Sequence, residues 1–166
     1  MKQSLILSFL VFLAAIGLTS CKGDESSPKT SSNTSYYFTC KIDGEEFVSS
    51  SESSVVSYAA DFSEYFNIQG IDVMGNKLSL TLQSPTQIGT FETGDPGTPT
   101  QTIAAHYATQ SPVENWSTRD DNGKGTIIVS KNTETYMEGS FSFTAMNAID
   151  STTKVFTEGE FKVRKL

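Results

Sequence analysis

The sequence predicts an all-β domain over residues 36–166, a single antiparallel β-sandwich, with a lipocalin-like or other small β-barrel as the alternative. Three observations predict it. Apolar and polar residues alternate with a period of two through most of these positions, the pattern of strands with one buried face. The alternating runs are separated by Gly-, Asn- and Asp-rich turn sequences at 43–44, 74–76 and 121–124. No stretch of ten residues carries a helical period with a cap. Alternation does not separate sandwich from barrel, because both bury one face of each strand.

The chain opens with MKQSLILSFLVFLAAIGLTSCKGDESS. Lys2 supplies a positive n-region, Leu5 to Leu18 an apolar h-region, and Leu18-Thr19-Ser20-Cys21 small residues before a cysteine, which together read as a processed export signal over residues 1–20. The apolar run is short of the roughly 20 residues that a membrane span needs. The four residues L-T-S-C resemble a bacterial lipobox, which implies cleavage before Cys21 and acylation of its thiol, with palmitate among the attached chains. Residues 21–35 then form the lipidated cysteine and a polar tether, KGDESSPKTSSNTS, that has too little apolar content to collapse. K-G-D-E after Cys21 resembles the signature that directs some Bacteroidota lipoproteins to the outer face of the outer membrane. The periplasm-facing leaflet is the alternative.

In the domain, Phe38, Cys40 and Ile42 alternate with Thr39 and Lys41, and Asp43-Gly44 makes a two-residue hairpin that returns through 45–49 with Cys40 opposite Phe47. SSVVSYA (53–59) is the next strand. YFNIQGIDV (65–73) changes phase at Gly70, which predicts a bulge there. Met74-Gly75-Asn76 turns into KLSLTLQS, one-sided through Leu78, Leu80 and Leu82. Gly89 to Thr93 reads as a short edge piece and GDPGTP (94–99) as a loop. TIAAHYAT (102–109) precedes a loop-like stretch around Trp116, and GTIIVSK (125–131) follows a turn. Met137, Gly139, Phe141, Phe143 and Ala145 then share one face, and Phe161 and Val163 share another in the final strand.

Composition removes several classes. Without residues 1–20, 19 acidic residues stand against 11 basic ones, which excludes binding to nucleic acid or anionic headgroups by charge. Membrane contact is therefore expected through the acyl chains on Cys21. With that thiol consumed, Cys40 has no disulfide partner, and it reads as a small buried hydrophobe. One histidine and one free cysteine are too few for a zinc site, and no cofactor is expected.

YYFTCKIDGEEF, GTIIVSK, EGSFSFTAMN and TEGEFKVRKL together resemble successive blocks of an uncharacterised family of Bacteroidota lipoproteins with a single β-rich domain. The resemblance implies an exported lipoprotein. It carries no activity and no site residue.

The candidate chemistry is sparse. His106, in TIAAHYAT, has no G-x-S-x-G elbow to serve and reads as a half-exposed structural histidine. Glu45 with Glu46 and Glu158 with Glu160 read as solvated charge rather than an acid/base pair. RDDNGKG (119–125) fails the calcium-loop pattern at Lys124 and reads as a turn. Trp116, with Tyr107, Tyr65 and Tyr136, is the aromatic set able either to seal the core or to stack on a sugar. No catalytic or metal-binding residue is expected, and the protein is read as a non-enzymatic surface lipoprotein, a binding or structural module. Its expected partner is an extracellular glycan or protein, met on residues 94–121 with Trp116 and Tyr107 as the binding residues. A carbohydrate-binding accessory lipoprotein and a small surface hydrolase are the alternatives.

Overall fold

A computed structural model describes residues 35–50, 52–59, 62–83, 88–94, 103–119 and 123–166. The expected signal peptide, Cys21 and most of the tether, as well as parts of the 94–99 and 119–125 loops, lie outside the described residues. Residues 34–166 form one compact unit.

Among the described residues eleven strands run in order: β1 (Tyr37–Ile42), β2 (Glu45–Val48), β3 (Val55–Ala59), β4 (Phe62–Ile71), β5 (Lys77–Gln83), β6 (Gly89–Thr93), β7 (Ala104–Ala108), β8 (Asn115–Ser117), β9 (Gly123–Asn132), β10 (Tyr136–Met146) and β11 (Thr153–Lys165). All belong to one sheet, ordered β2-β1-β11-β3-β4-β5-β7-β8-β10-β9-β6, with a further β10–β11 pairing. The sandwich of two separate sheets is therefore corrected to a single sheet curled into an open half-barrel, closer to the small-barrel alternative. The physical reason lies in two thin joints. Two residue pairs link β11 to β3 and one pair, Met146 with Ser117, links β10 to β8, so hydrogen bonding continues around both bends. The β3–β11 pairing is parallel, an exception to the antiparallel expectation.

The first hairpin is as expected: Cys40 faces Phe47, and Asp43 (φ 53°) and Gly44 (φ 91°) take the left-handed conformations of a two-residue turn. Asp43 Oδ1 also accepts from the Val155 amide at 2.8 Å, which fastens this turn to β11. The expected bulge at Gly70 is absent. The β4–β5 register runs without a break from Tyr65 to Ile71, and Gly70 is buried in phase with Phe66 and Ile68. Its lack of a side chain serves a close approach instead, since a Cβ there would lie 2.7 Å from Ser49 Cβ and 2.9 Å from Phe38 Cβ. Val73, expected in the strand, sits in the turn and is exposed.

Inward side chains from both arms of the curl form one core. Phe38, Phe47, Phe66, Leu78, Leu80, Leu82, Phe141, Phe143, Phe156 and Phe161 all belong to it, as does Cys40. Phe143 and Phe156 stack with centroids 4.2 Å apart, and Phe38 lies between Phe141 and Phe161 at 5.1 and 6.3 Å. Burial pushes the Cys40 thiol up to about 12, so it stays protonated and inert.

Candidate functional site

The outer face of β9, β10 and β11 carries a shallow groove of about 550 Å³. Its origin is the period of the strands. In β10, Phe141 and Phe143 turn into the core, so Ser140 and Ser142 turn outward and leave the middle of the face low. Thr126 and Ile128 of β9 form one wall, and Glu158 and Glu160 of β11 form the other. Gly159 helps to floor the groove, because a Cβ at that position would press within 2.6 Å of the Phe141 ring. Glu158 adopts φ 52°, where the β10–β11 register shifts, and this irregularity turns its carboxylate along the outer face.

The borders are polar and partly braced. Thr126 Oγ1 donates to the Glu92 carboxylate at 3.2 Å, and Lys41 Nζ holds Glu158 at 2.8 Å. A second depression of about 280 Å³, lined by Thr39, Lys41, Glu46, Phe47 and Val48, adjoins the groove at Glu158. Further along the face, Lys131 and Lys162 lie 5.2 and 4.9 Å from the centroid of Tyr136. Tyr37 keeps its phenolic proton, its pKa raised by desolvation and then by the neighbouring Glu138 and Glu160 carboxylates. The groove thus offers hydroxyl donors and acceptors, carboxylate acceptors and two apolar residues, Ile128 on its wall and the nearly buried Phe141 beneath. That set suits a neutral ligand rich in hydroxyl groups.

Trp116 and Tyr107 are placed elsewhere. Trp116 stands on a strand, β8, rather than in a loop, and is only 4 % exposed. Its ring packs 5.8 Å from that of Tyr107, Lys154 Nζ covers it at 4.6 Å, and its Nε1 donates to Thr152 Oγ1 at 3.2 Å. Tyr107 is enclosed by Trp116, Phe47 and Phe156. Both expected binding residues therefore lie in the core, because β7 pairs with β8 and turns Tyr107 and Trp116 to the same inner side. Of the other two aromatics, Tyr136 is half-buried on the groove face and Tyr65 is half-buried on β4.

His106 is half-buried on β7, its pKa lowered by desolvation and then by Lys77 and Arg119. Ser79 Oγ donates to the backbone carbonyl of His106 at 3.5 Å, not to its ring. Among the described residues no three His, Cys, Asp or Glu side chains are grouped to hold a metal ion.

Residues 34–163 match a family described as a domain of unknown function, DUF6252. The chain belongs to this family. No curated protein and no solved structure matches it. The DUF6252 match spans every strand described above except the last two residues of β11, so the groove lies wholly within the family domain. Sequence reasoning missed this groove. Glu158 and Glu160 read as solvated charge, and Ser140 and Ser142 alternate with the inward Gly139, Phe141 and Phe143, but the convergence of the four depends on β9 and β11 flanking β10, which is a matter of register and not of local pattern.

Proposed function

We propose that this DUF6252 protein is a bacterial envelope lipoprotein, acylated at Cys21 and held on a polar tether, whose β domain is a non-catalytic module that binds carbohydrate on its outer-face groove. The lipobox-like L-T-S-C and the polar run 22–35 support the anchored layout. The outer membrane, with the domain at the cell surface, is the destination that K-G-D-E supports. The groove itself carries the ligand reading. Ser140, Ser142 and Thr126 can both donate and accept, Glu158 and Glu160 accept from sugar hydroxyls, and Ile128 can meet the C–H face of a pyranose. This reading moves the expected glycan contact from Trp116 and Tyr107 to β9–β11.

A small hydrolase is a weaker reading, since His106 is not among the groove-lining residues. Two experiments test the proposal. Replacing Cys21 with Ser is expected to abolish palmitate labelling and membrane retention; labelling retained in that variant contradicts the anchor. Titrating the protein with glycans that score on an array, with backbone amide shifts followed by NMR, is expected to move Thr126, Ser140, Ser142 and residues 158–160. Shifts confined to other strands contradict the groove.

A further inference from the structure

Four connections gather at one end of the domain: the β1–β2 turn at 43–44, the β4–β5 turn at 72–76, the β7–β8 loop at 109–114 and the β10–β11 turn at 147–152. Polar contacts chain them together. Asn76 Oδ1 accepts from the Gln110 amide at 3.2 Å, Trp116 Nε1 reaches Thr152, and Lys154 lies over Trp116 and 3.4 Å from Asp43. Three of these connections present apolar side chains at their tips: Val73 (96 % exposed), Met74 (74 %), Val113 (78 %) and Ile149 (95 %).

Turn tips are ordinarily polar, and here the polar side chains are used to brace the backbone. Asp72 Oδ1 accepts from the amides of Met74 and Asn76 at 2.9 and 2.8 Å. Thr109 Oγ1 donates to the Pro112 carbonyl at 2.6 Å and accepts from the Glu114 amide at 3.2 Å. Asn147 Oδ1 accepts from the Ile149 amide at 2.9 Å, and Asp150 Oδ1 accepts from Thr152 at 2.9 and 2.7 Å. Stiff turns that expose large aliphatic groups are prepared for association, because little order remains to be imposed when they are covered.

We propose that this pole docks a protein whose apolar pockets are set among lysine or arginine side chains. Charge selects that occupant. Asp43, Glu45, Glu46, Asp72, Glu114 and Asp150 stand at or one row below this end against Lys41, Lys77, Lys124 and Lys154, an acidic balance, so a second copy or an anionic bilayer would meet like charge. Position agrees with this choice. β1 begins at Tyr37 and climbs its whole length, roughly 20 Å, before the turn at Asp43, so residues 35 and 36 leave the domain at the end opposite the apolar tips. The inference is independent of the glycan reading, whose groove lies on the flank.

The test places a photo-crosslinking amino acid at Val73, Val113 or Ile149 of the full-length protein in the cells that produce it, with Glu134 in the β9–β10 turn as control. The three pole positions are expected to crosslink one and the same other polypeptide, at a segment where apolar residues adjoin Lys or Arg, and Glu134 is not. E45K/E114K, with circular dichroism and melting unchanged, is expected to lower that yield about tenfold. Crosslinks to lipid, to a second copy, to scattered proteins or no more abundant than at Glu134 overturn the proposal, as does a yield indifferent to E45K/E114K.

Discussion

Replacing Trp116 tests whether this side chain is a structural part of the core. The indole is 4 % exposed, packs on Tyr107, donates to Thr152 and lies beneath Lys154. Trp116→Ala removes the whole ring from a site enclosed by strands on both sides, and such truncations cost about 3–5 kcal/mol. Trp116→Phe keeps an aromatic in place and loses the hydrogen bond, worth about 1 kcal/mol, together with part of the cation–π contact, worth about 0.5–1 kcal/mol. The expected loss is then about 2 kcal/mol, of which about 1 kcal/mol should vanish in a double-mutant cycle with Thr152→Val. Urea unfolding followed by far-UV circular dichroism measures all three, with an unchanged m-value confirming that only stability has moved. A domain of this size is stable by about 5–15 kcal/mol in total, so the alanine variant should be visibly weakened. Stability of Trp116→Ala within about 0.5 kcal/mol of wild type is the behaviour of a surface residue and is incompatible with a packed indole.

Three further outcomes follow from the packing and the titrating groups. Gly70→Ala forces a methyl against Ser49 and Phe38, at 2.7 and 2.9 Å from their Cβ atoms, and is expected to cost about 1–3 kcal/mol in the same unfolding assay; a neutral result would mean that Ser49 and Phe38 do not crowd this position. Cys40 should resist thiol reagents in the folded protein and react at once in urea; because its folded pKa is raised from 9.0 to about 12, the unfolded chain releases the proton first and stability should fall as pH rises above 9, a slope missing from Cys40→Ala. His106 has its pKa lowered by folding, so below about pH 6.5 the unfolded chain binds the extra proton and stability should decline on acidification; His106→Gln should be flatter over that range, and an identical profile contradicts the assignment.

Legibility in the sequence followed the range of the interaction. The β1–β2 hairpin is written in Asp43-Gly44, and the pairing of Cys40 with Phe47 follows from counting outward from the turn. Leu78, Leu80 and Leu82, the inward face of β10 and the short edge strand β6 are likewise local patterns, and each is found where the alternation put it. Gly70 misled because a glycine in a strand has two explanations, a bulge or a close neighbour, and only the packing of Phe38 and Ser49 from other strands decides between them. For Trp116 the local pattern left core-sealing and stacking both open, because its sequence neighbours are polar and its buried surroundings are supplied from afar by Tyr107, Thr152 and Lys154. The groove depends on three strands from the last third of the chain lying side by side, and the bend that replaces a sandwich depends on three residue pairs in two joints. Neither leaves a mark on local periodicity.

Carbohydrate binding in the β9–β11 groove is tested by a glycan array probed in parallel with the wild-type protein, Trp116→Phe and Ser142→Trp. Ser142 is exposed on the outer face of β10, so a tryptophan there fills the groove without entering the core. Trp116→Phe is expected to keep the wild-type pattern at a lower melting temperature, whereas Ser142→Trp is expected to fold normally and lose the signal. Binding that survives Ser142→Trp and disappears in folded Trp116→Phe would contradict binding in the groove.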